Sequence, residues 1–489
     1  MLRRHFLRNI GLLSATATLP ASAILAQPAD RYRAVGVRGR ITGDGKALKG
    51  VVVTDGFNVV TTGGDGRYNF AAHSNAEFLY ISLPAGFTIP HEKGIAAFYK
   101  PINKSTSSQD LDFRLSSISG GDDKHAFILW GDTQLNSKED AELLKATSAP
   151  DTKALVQSFG NLPVHGMGCG DLVFDKFDLF ADYKEAVAIT GAPFFQVIGN
   201  HDMDYDARTD DGSQGTFKKH FGPTYYSFNR GRIHYVVLDN VFFIGTGHKY
   251  IGYISEAQLS WLEKDLAHVP PGSTIVLSVH IPTNNGVKTR TKAKEESLGG
   301  VTSNREALYA LLKNYKVHIM SGHTHFNENW EKDNIMEHNH GTVCGAWWSG
   351  PICGDGTPNG YGVYEVDGDK ISWYYKSVGR DRDHQLTVYP RNSVEGQPGA
   401  ILANVWNWDA KWKIEWLEDG ELKGVMQQHL GYDPAAVNLY KGPQLPQKHK
   451  WVEPNLTDHL FIATPSQTAK KITVRATDRF GRVYEAVVG

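Results

Sequence analysis

Apolar and polar positions alternate with different rhythms along this chain, and the changes of rhythm divide it. Residues 32–115 carry short apolar runs, such as Val51-Val52-Val53 and Phe78-Leu79-Tyr80-Ile81. They are separated by the turn signals Gly43-Asp44-Gly45 and Gly63-Gly64-Asp65-Gly66, a pattern that predicts a small β-sandwich. A Ser/Gly/Asp-rich linker follows at 116–124. From there to about 379 strand-like runs (127–130, 194–198, 274–279, 317–320) alternate with helical ones, which predicts a layered α/β core. Ser255-Glu256-Ala257-Gln258 and Ser303-Asn304-Arg305-Glu306 read as capping boxes. They open helices whose apolar stripes are Leu259, Leu262 and Leu266, then Leu308, Leu311 and Leu312. A charged break at 380–383 precedes renewed β patterning over 384–489, as at 413–416 and 471–476, which predicts a second β-sandwich.

Polar clusters sit directly after the apolar runs of the central segment. In order they are Asp132-Thr133-Gln134, Gly170-Asp171, Gly199-Asn200-His201-Asp202, His280 and Gly322-His323-Thr324-His325. Open α/β sheets place their chemistry at the carboxyl ends of strands, so these groups are expected to converge. Carboxylates, imidazoles and neutral amides together suit two hard or borderline divalent cations. Such a pair, about 3.5–4 Å apart, neutralises phosphate charge and lowers the pKa of a shared water. Asp171 can present two oxygens, and Asn200 a neutral carbonyl that adds no charge to repel a phosphate. The glycines at 170, 199 and 322 allow sharp turns and close backbone approach.

This order of motifs resembles the calcineurin-like metallophosphoesterases, over roughly the middle half of the chain. The resemblance implies a multidomain α/β protein with β modules: a central four-layer α/β/β/α core (124–379) flanked by two small β-sandwiches (32–115 and 384–489). It also implies that one metal takes Asp132, Gln134, Asp171 and His325, and that the second shares Asp171 and takes Asn200, His280 and His323. His201 would face the scissile phosphate as charge stabiliser or general acid, oriented by Asp202. Gln134 stands where most of the family has histidine. An amide oxygen binds more weakly than imidazole and favours Mn or Fe over Zn at that site. The Gln form occurs in branches that include manganese-dependent ADP-ribose and CDP-alcohol pyrophosphatases. The first segment, through Gly50-Val51-Val52-Val53 and Asp65-Gly66-Arg67-Tyr68, resembles carboxypeptidase-regulatory-like modules, which implies no catalysis.

Net charge works only by exclusion. With 51 Lys and Arg against 53 Asp and Glu, nothing marks nucleic acid as a partner. Beyond the first thirty residues no apolar stretch approaches the roughly 20 residues that span a bilayer, so an integral membrane protein is not expected. The start of the chain, with Arg3-Arg4, Phe6-Leu7, a mildly apolar stretch and Ala21-Ser22-Ala23, reads as a twin-arginine export signal over 1–27 and predicts a periplasmic or secreted protein. Three cysteines cannot staple a chain of this length. Cys344 with Cys353 is one candidate bridge, and Cys169 reads as a buried packing residue.

The reading is an exported hydrolase of phosphomonoesters or phosphodiesters, with a phosphorylated small-molecule, lipid or nucleotide substrate. Two alternatives stand beside it: a pyrophosphatase of nucleotide-linked diphosphates, prompted by Gln134, and a cell-envelope binding protein with a vestigial site. Two local readings also stay open. Asp175 suits a partner of the site and an acid at a helix start equally, and is not assigned to the site. Trp347 and Trp348, in the Gly-rich stretch 345–361, suit a cleft floor or a seal against a β-sandwich equally.

Overall fold

A computed structural model describes residues 34–489; the expected signal at 1–27 lies outside the described residues. Two sheets form the centre. The first runs Lys370–Ser377, Gly360–Asp367, Lys124–Trp130, Val164–Cys169, Phe194–Val197, Ile95–Ala96 and His91–Glu92. The second runs Tyr226–Arg230, Ile233–Val237, Thr274–Ser278, Lys316–Ser321, Ile335–Asn339 and Glu328–Lys332. Their inner strands are parallel, with Trp130 opposite Gly168, Cys169 opposite Val197 and Ser278 opposite Met320. That register brings the strand ends level, and each motif begins within three residues of its strand end.

The strands form where the sequence is largely apolar, because parallel strands covered on both faces have no solvent side. Phe127, Ile128, Leu129 and Trp130 are all buried, as is every residue of Thr274–Ser278. Each apolar side chain among them contributes roughly 2 kcal/mol, so the sheets do not depend on the polar loops at their ends. Helices Lys138–Ala146, Ser148–Ser158 and Phe180–Thr190 cover the first sheet, sharing a core with Trp130 and Phe194. Helices Glu256–Leu266 and Arg305–Leu312 cover the second through Trp261, Leu262, Leu308 and Leu312.

Ser255 caps its helix, accepting from the Gln258 amide. Ser303 does not. Its hydroxyl donates to the Gly252 carbonyl at 2.7 Å, and Asn304, at the cap position, uses its side chain to hold the Ile254 amide and carbonyl. The expected capping box is spent on fastening a loop to its neighbour.

The amino-terminal module is a β-sandwich. One sheet is built around Gly36–Gly43, the other from Val59–Thr61, Val52–Thr54, Phe78–Ile81 and Tyr99–Pro101. It is not walled off from the centre. Its hairpin His91–Glu92/Ile95–Ala96 extends the first central sheet, with Ile95 opposite Phe194. Phe98 lies 4.5 Å from the Tyr226 ring and 5.6 Å from that of Phe195. The carboxyl-terminal module pairs two four-stranded sheets over its own core of Ile401, Val405, Phe461 and Val474. Its helix Pro434–Lys441 and Val452 pack on Ala346 of the central region. All three cysteines are free and buried. The thiols of Cys344 and Cys353 each lie beside the Thr342 hydroxyl, at 3.5 and 3.6 Å.

Candidate metal centre

The strand ends of both sheets meet at one buried polar cluster. Two donor groups form there, Asp171 with His280 and His323, and Asp132 with Asp171 and His325, the donor atoms of each group lying within 4.8 Å of one another. Asp171 belongs to both. Gln134 Nε2 lies 2.8 Å from Asp171 Oδ2 and 3.3 Å from His325 Nε2. His280 Nε2 lies 3.2 Å from Asn200 Oδ1 and 3.3 Å from Asp171 Oδ1. The structure thus gathers all seven residues of the expected ligand set.

Close approach depends on the motif glycines. A Cβ on Gly199 would fall 2.2 Å from Asp171 Oδ1, one on Gly170 2.3 Å from His280 Nδ1, and one on Gly322 2.4 Å from Asp132 Oδ2. The ligand side chains occupy the space that a side chain at these positions would fill. The backbone is bent to match, with Asp132, Gln134, Asp171, His323 and His325 all at φ between 47° and 70°, a region that costs non-glycine residues about 1 kcal/mol or more each.

Hydrogen bonds orient the rings. His280 Nδ1–H donates to the Cys169 carbonyl at 2.9 Å, which leaves Nε2 toward Asp171. His323 Nε2–H donates to the Gly299 carbonyl at 2.9 Å, and its Nδ1 is buried without a partner. The His325 Nδ1 and Gln134 Oε1 atoms are also buried and unpartnered; a half-turn of the Gln134 amide exchanges its oxygen for its nitrogen. Behind His280, fully buried Asn240 accepts from the His280 and Ile281 amides and donates to the Ile281 carbonyl and the Thr302 hydroxyl.

The buried charges of the cluster act strongly on one another. Burial alone would raise the Asp171 carboxyl, but the neighbouring His280 and His201 hold it well below the usual range. Burial likewise disfavours a charged His280, yet Asp171 and Asp132 push that imidazole up to about 9. His323 goes the other way, down to about 4, through burial and the charge of His280. Orphaned nitrogen and oxygen atoms, the shared Asp171 carboxylate and cradling glycines together fit a pair of divalent cations.

Asp202 does not orient His201. Its carboxylate turns back to accept the Gly199, Leu172 and Val173 amides, so it fastens two strand-end loops together. The partner of His201 is Asp175, whose Oδ1 accepts from Nδ1 at 2.8 Å. Burial opposes protonation of His201, but the charges of Asp171 and Asp175 and the Asp175 hydrogen bond outweigh it and raise its pKa above the ordinary value. His201 and Asp175 keep 22% and 28% of their side-chain surface exposed, whereas Asp171 and His280 are sealed. Solvent therefore reaches the cluster on the His201 side, and also beside His323, where a cavity of about 260 Å³ is lined by Val287, Val301 and Phe326.

The two tryptophans divide the readings left open for them. Trp348 Nε1 donates to the Thr133 carbonyl at 2.9 Å and braces the first motif. Trp347 lies 4.1 Å from the His325 ring and 4.6 Å from that of Trp451 in the carboxyl-terminal module.

Residues 126–327 match the family model described as calcineurin-like phosphoesterase; 35–118 and 337–484 match those described as the N terminal and C terminal of calcineurin-like phosphoesterase. The chain belongs to the calcineurin-like phosphoesterases, a family whose members work with divalent metals. Purple acid phosphatase 15 of Arabidopsis thaliana is 28% identical over 211 residues, 41% of this chain and 35% of that protein. The match thus spans about a third of the length of that curated relative. Purple acid phosphatase PPD1 from yellow lupin (Lupinus luteus) is similar at 14% identity and a TM-score of 0.37, over 67% of each chain. The 5'-nucleotidase of Candida albicans is similar at 13% identity and a TM-score of 0.32, over 51% of this chain and 50% of that one. No helix among the described residues is long and apolar enough to cross a membrane.

Proposed function

We propose that this protein hydrolyses phosphomonoesters or phosphodiesters with two divalent cations held by Asp132, Gln134, Asp171 and His325 and by Asp171, Asn200, His280 and His323. The observation that carries this reading is the Asp171 carboxylate shared between two donor groups. Two cations held there supply a water of lowered pKa as nucleophile and offset the charge of the phosphate. The chain's own part is to hold and exclude. Asp171 and Asp132 keep their oxygens inside because His201 N and His323 N donate to them at 2.8 to 3.1 Å. Asp175 accepts the hydrogen bond of His201 Nδ1–H and favours the doubly protonated ring, whose Nε2–H is then free to hold a phosphate oxygen or pass its proton to the leaving alcohol. A thiolate nucleophile is not available, since burial pushes the Cys344 thiol up to about 12.

The amide at Gln134 favours Mn or Fe over Zn in the first site, and supports a second reading in which the bond cleaved is a nucleotide-linked diphosphate. The paired arginines and cleavage pattern of residues 1–27 support export by the twin-arginine route. The test is a screen of monoesters, diesters and nucleotide diphosphates on protein reconstituted separately with Mn²⁺, Fe²⁺ and Zn²⁺. Inorganic phosphate from simple esters is expected; two phosphorylated products from a diphosphate would select the second reading. Asp171→Asn is expected to lose turnover at least a hundredfold while keeping the fold, and near-normal turnover in that variant would overturn the ligand assignment.

A further inference from the structure

We infer that the substrate carries a flat ring with polar edges, as a nucleoside phosphate does, and that the carboxyl-terminal module supplies Trp451 as the face on which that ring stacks. The inference rests on the phosphoesterase reading and narrows it. Rings run without a break from one side of the candidate centre to the other. From His201 the path goes to Phe174 (4.2 Å between centroids), His449 (6.2 Å), Trp451 (5.4 Å), Trp347 (4.6 Å) and His325 (4.1 Å). Two of the six, His449 and Trp451, come from the carboxyl-terminal side of the chain and reach back over the His201 side, where solvent enters.

Packing between modules does not explain Trp451. A tryptophan that sealed an interface would be buried, yet this one is 56% exposed. Its backbone, by contrast, is pinned on both sides. Lys448 pairs with Asp140 at 2.7 Å and Glu139 at 3.0 Å, the Val452 amide closes a turn onto the His449 carbonyl, Val452 itself is buried, and the Asn455 amide donates to the Gly354 carbonyl. His449 and Trp347 both hold left-handed backbone, each with φ of 49°, a strain that persists only where the surroundings over-determine it. The result is a large apolar face presented at a fixed place, one ring away from His325 of the candidate centre. Trp347 adds a second sign of a ligand: its Nε1–H is buried and has no acceptor. An alkyl chain would bury against these rings but leave that donor unpaired; a heterocycle offers both a π face and an acceptor.

The experiment uses adenosine, which has the ring and no phosphate, and two esters that share bond and leaving alcohol, AMP and ribose 5-phosphate. Saturation-transfer NMR on chelator-treated protein should show adenosine bound to the wild type and not to Trp451→Ala. Because the side chain is exposed, the variant should melt with the wild type. On Mn²⁺-loaded protein the ratio of kcat/KM for AMP to that for ribose 5-phosphate should fall about tenfold in Trp451→Ala, within what stacking of one base on one aromatic ring supplies. Absence of adenosine binding, equal binding by both proteins, or an unchanged ratio would overturn the inference. Trp451-dependent adenosine binding without hydrolysis of any ester would keep the ring site and remove the phosphoesterase reading.

Discussion

Placing a methyl group on Gly322 tests whether the candidate centre depends on the space its glycines leave. The residue does not occupy left-handed backbone, so alanine imposes no conformational penalty and the effect is steric. The new Cβ would sit 2.4 Å from Asp132 Oδ2, where ordinary contact begins at 3.4 Å, so the carboxylate must retreat by about 1 Å. Asp132 is fully buried, and its two oxygens accept the His323 amide at 3.1 and 3.0 Å. A shift of that size breaks at least one of these bonds, and a hydrogen bond to a charged group is worth about 1.5–3 kcal/mol. That converts to a loss of roughly ten- to hundredfold in cation affinity. The assay is calorimetric titration of Mn²⁺ into chelator-treated protein, with thermal melts in chelator alongside. Gly64→Ala, with nothing within 4 Å of its new Cβ, should titrate like the wild type. If Gly322→Ala binds Mn²⁺ as tightly as the wild type, the cradle reasoning is wrong.

Asp175 and Asp202 should separate by assay. Asp175→Asn keeps an acceptor near His201 but removes the charge, so turnover should fall with metal content and melting temperature unchanged. Asp202→Ala leaves three buried amides without an acceptor and should cost about 2–4 kcal/mol of stability, read as a melting shift of several degrees. Glu337, fully buried between Thr283 and Ser321, is pushed up to about 7 by burial. A folded-state pKa above the unfolded value near 4.5 means its contribution is complete below pH 4.5 and is lost as pH rises to about 7. The loss is up to roughly 3 kcal/mol. Glu337→Gln should flatten that decline and be the more stable protein at pH 8; denaturant melts across pH 4 to 8 check it, and parallel curves would refute it.

The central sheets and the ligand set can be read from sequence for one shared reason. Strands covered on both faces are largely apolar, so a cluster of Asp, Asn and His directly after them stands out. What the sequence conceals is set by side-chain direction. Asp202 follows His201 in the chain and looks like its partner, but it faces amides some 30 residues earlier, while Asp175 arrives from another loop. The 91–96 hairpin pairs as two-residue strands too short to show a period, and exists because the central sheet offers it an edge. Trp451 stands alone in a polar stretch, and only the fold places it near Trp347.

The same geometry explains why the loops need so much structure around them. Five of the seven candidate ligands hold left-handed backbone, and at about 1 kcal/mol each this strain approaches the net stability of an ordinary domain, about 5–15 kcal/mol. Loops cannot hold it alone. They are joined across the two sheets by the Cys169 thiol on the Val279 carbonyl and the His280 ring on the Cys169 carbonyl. The sheets behind them are locked by one core that runs on into the amino-terminal module. Disturbing that module's contact with the centre, as at Phe98, should therefore loosen the ligand loops before it unfolds the strands, because the loops hold the strain and the strands hold the burial.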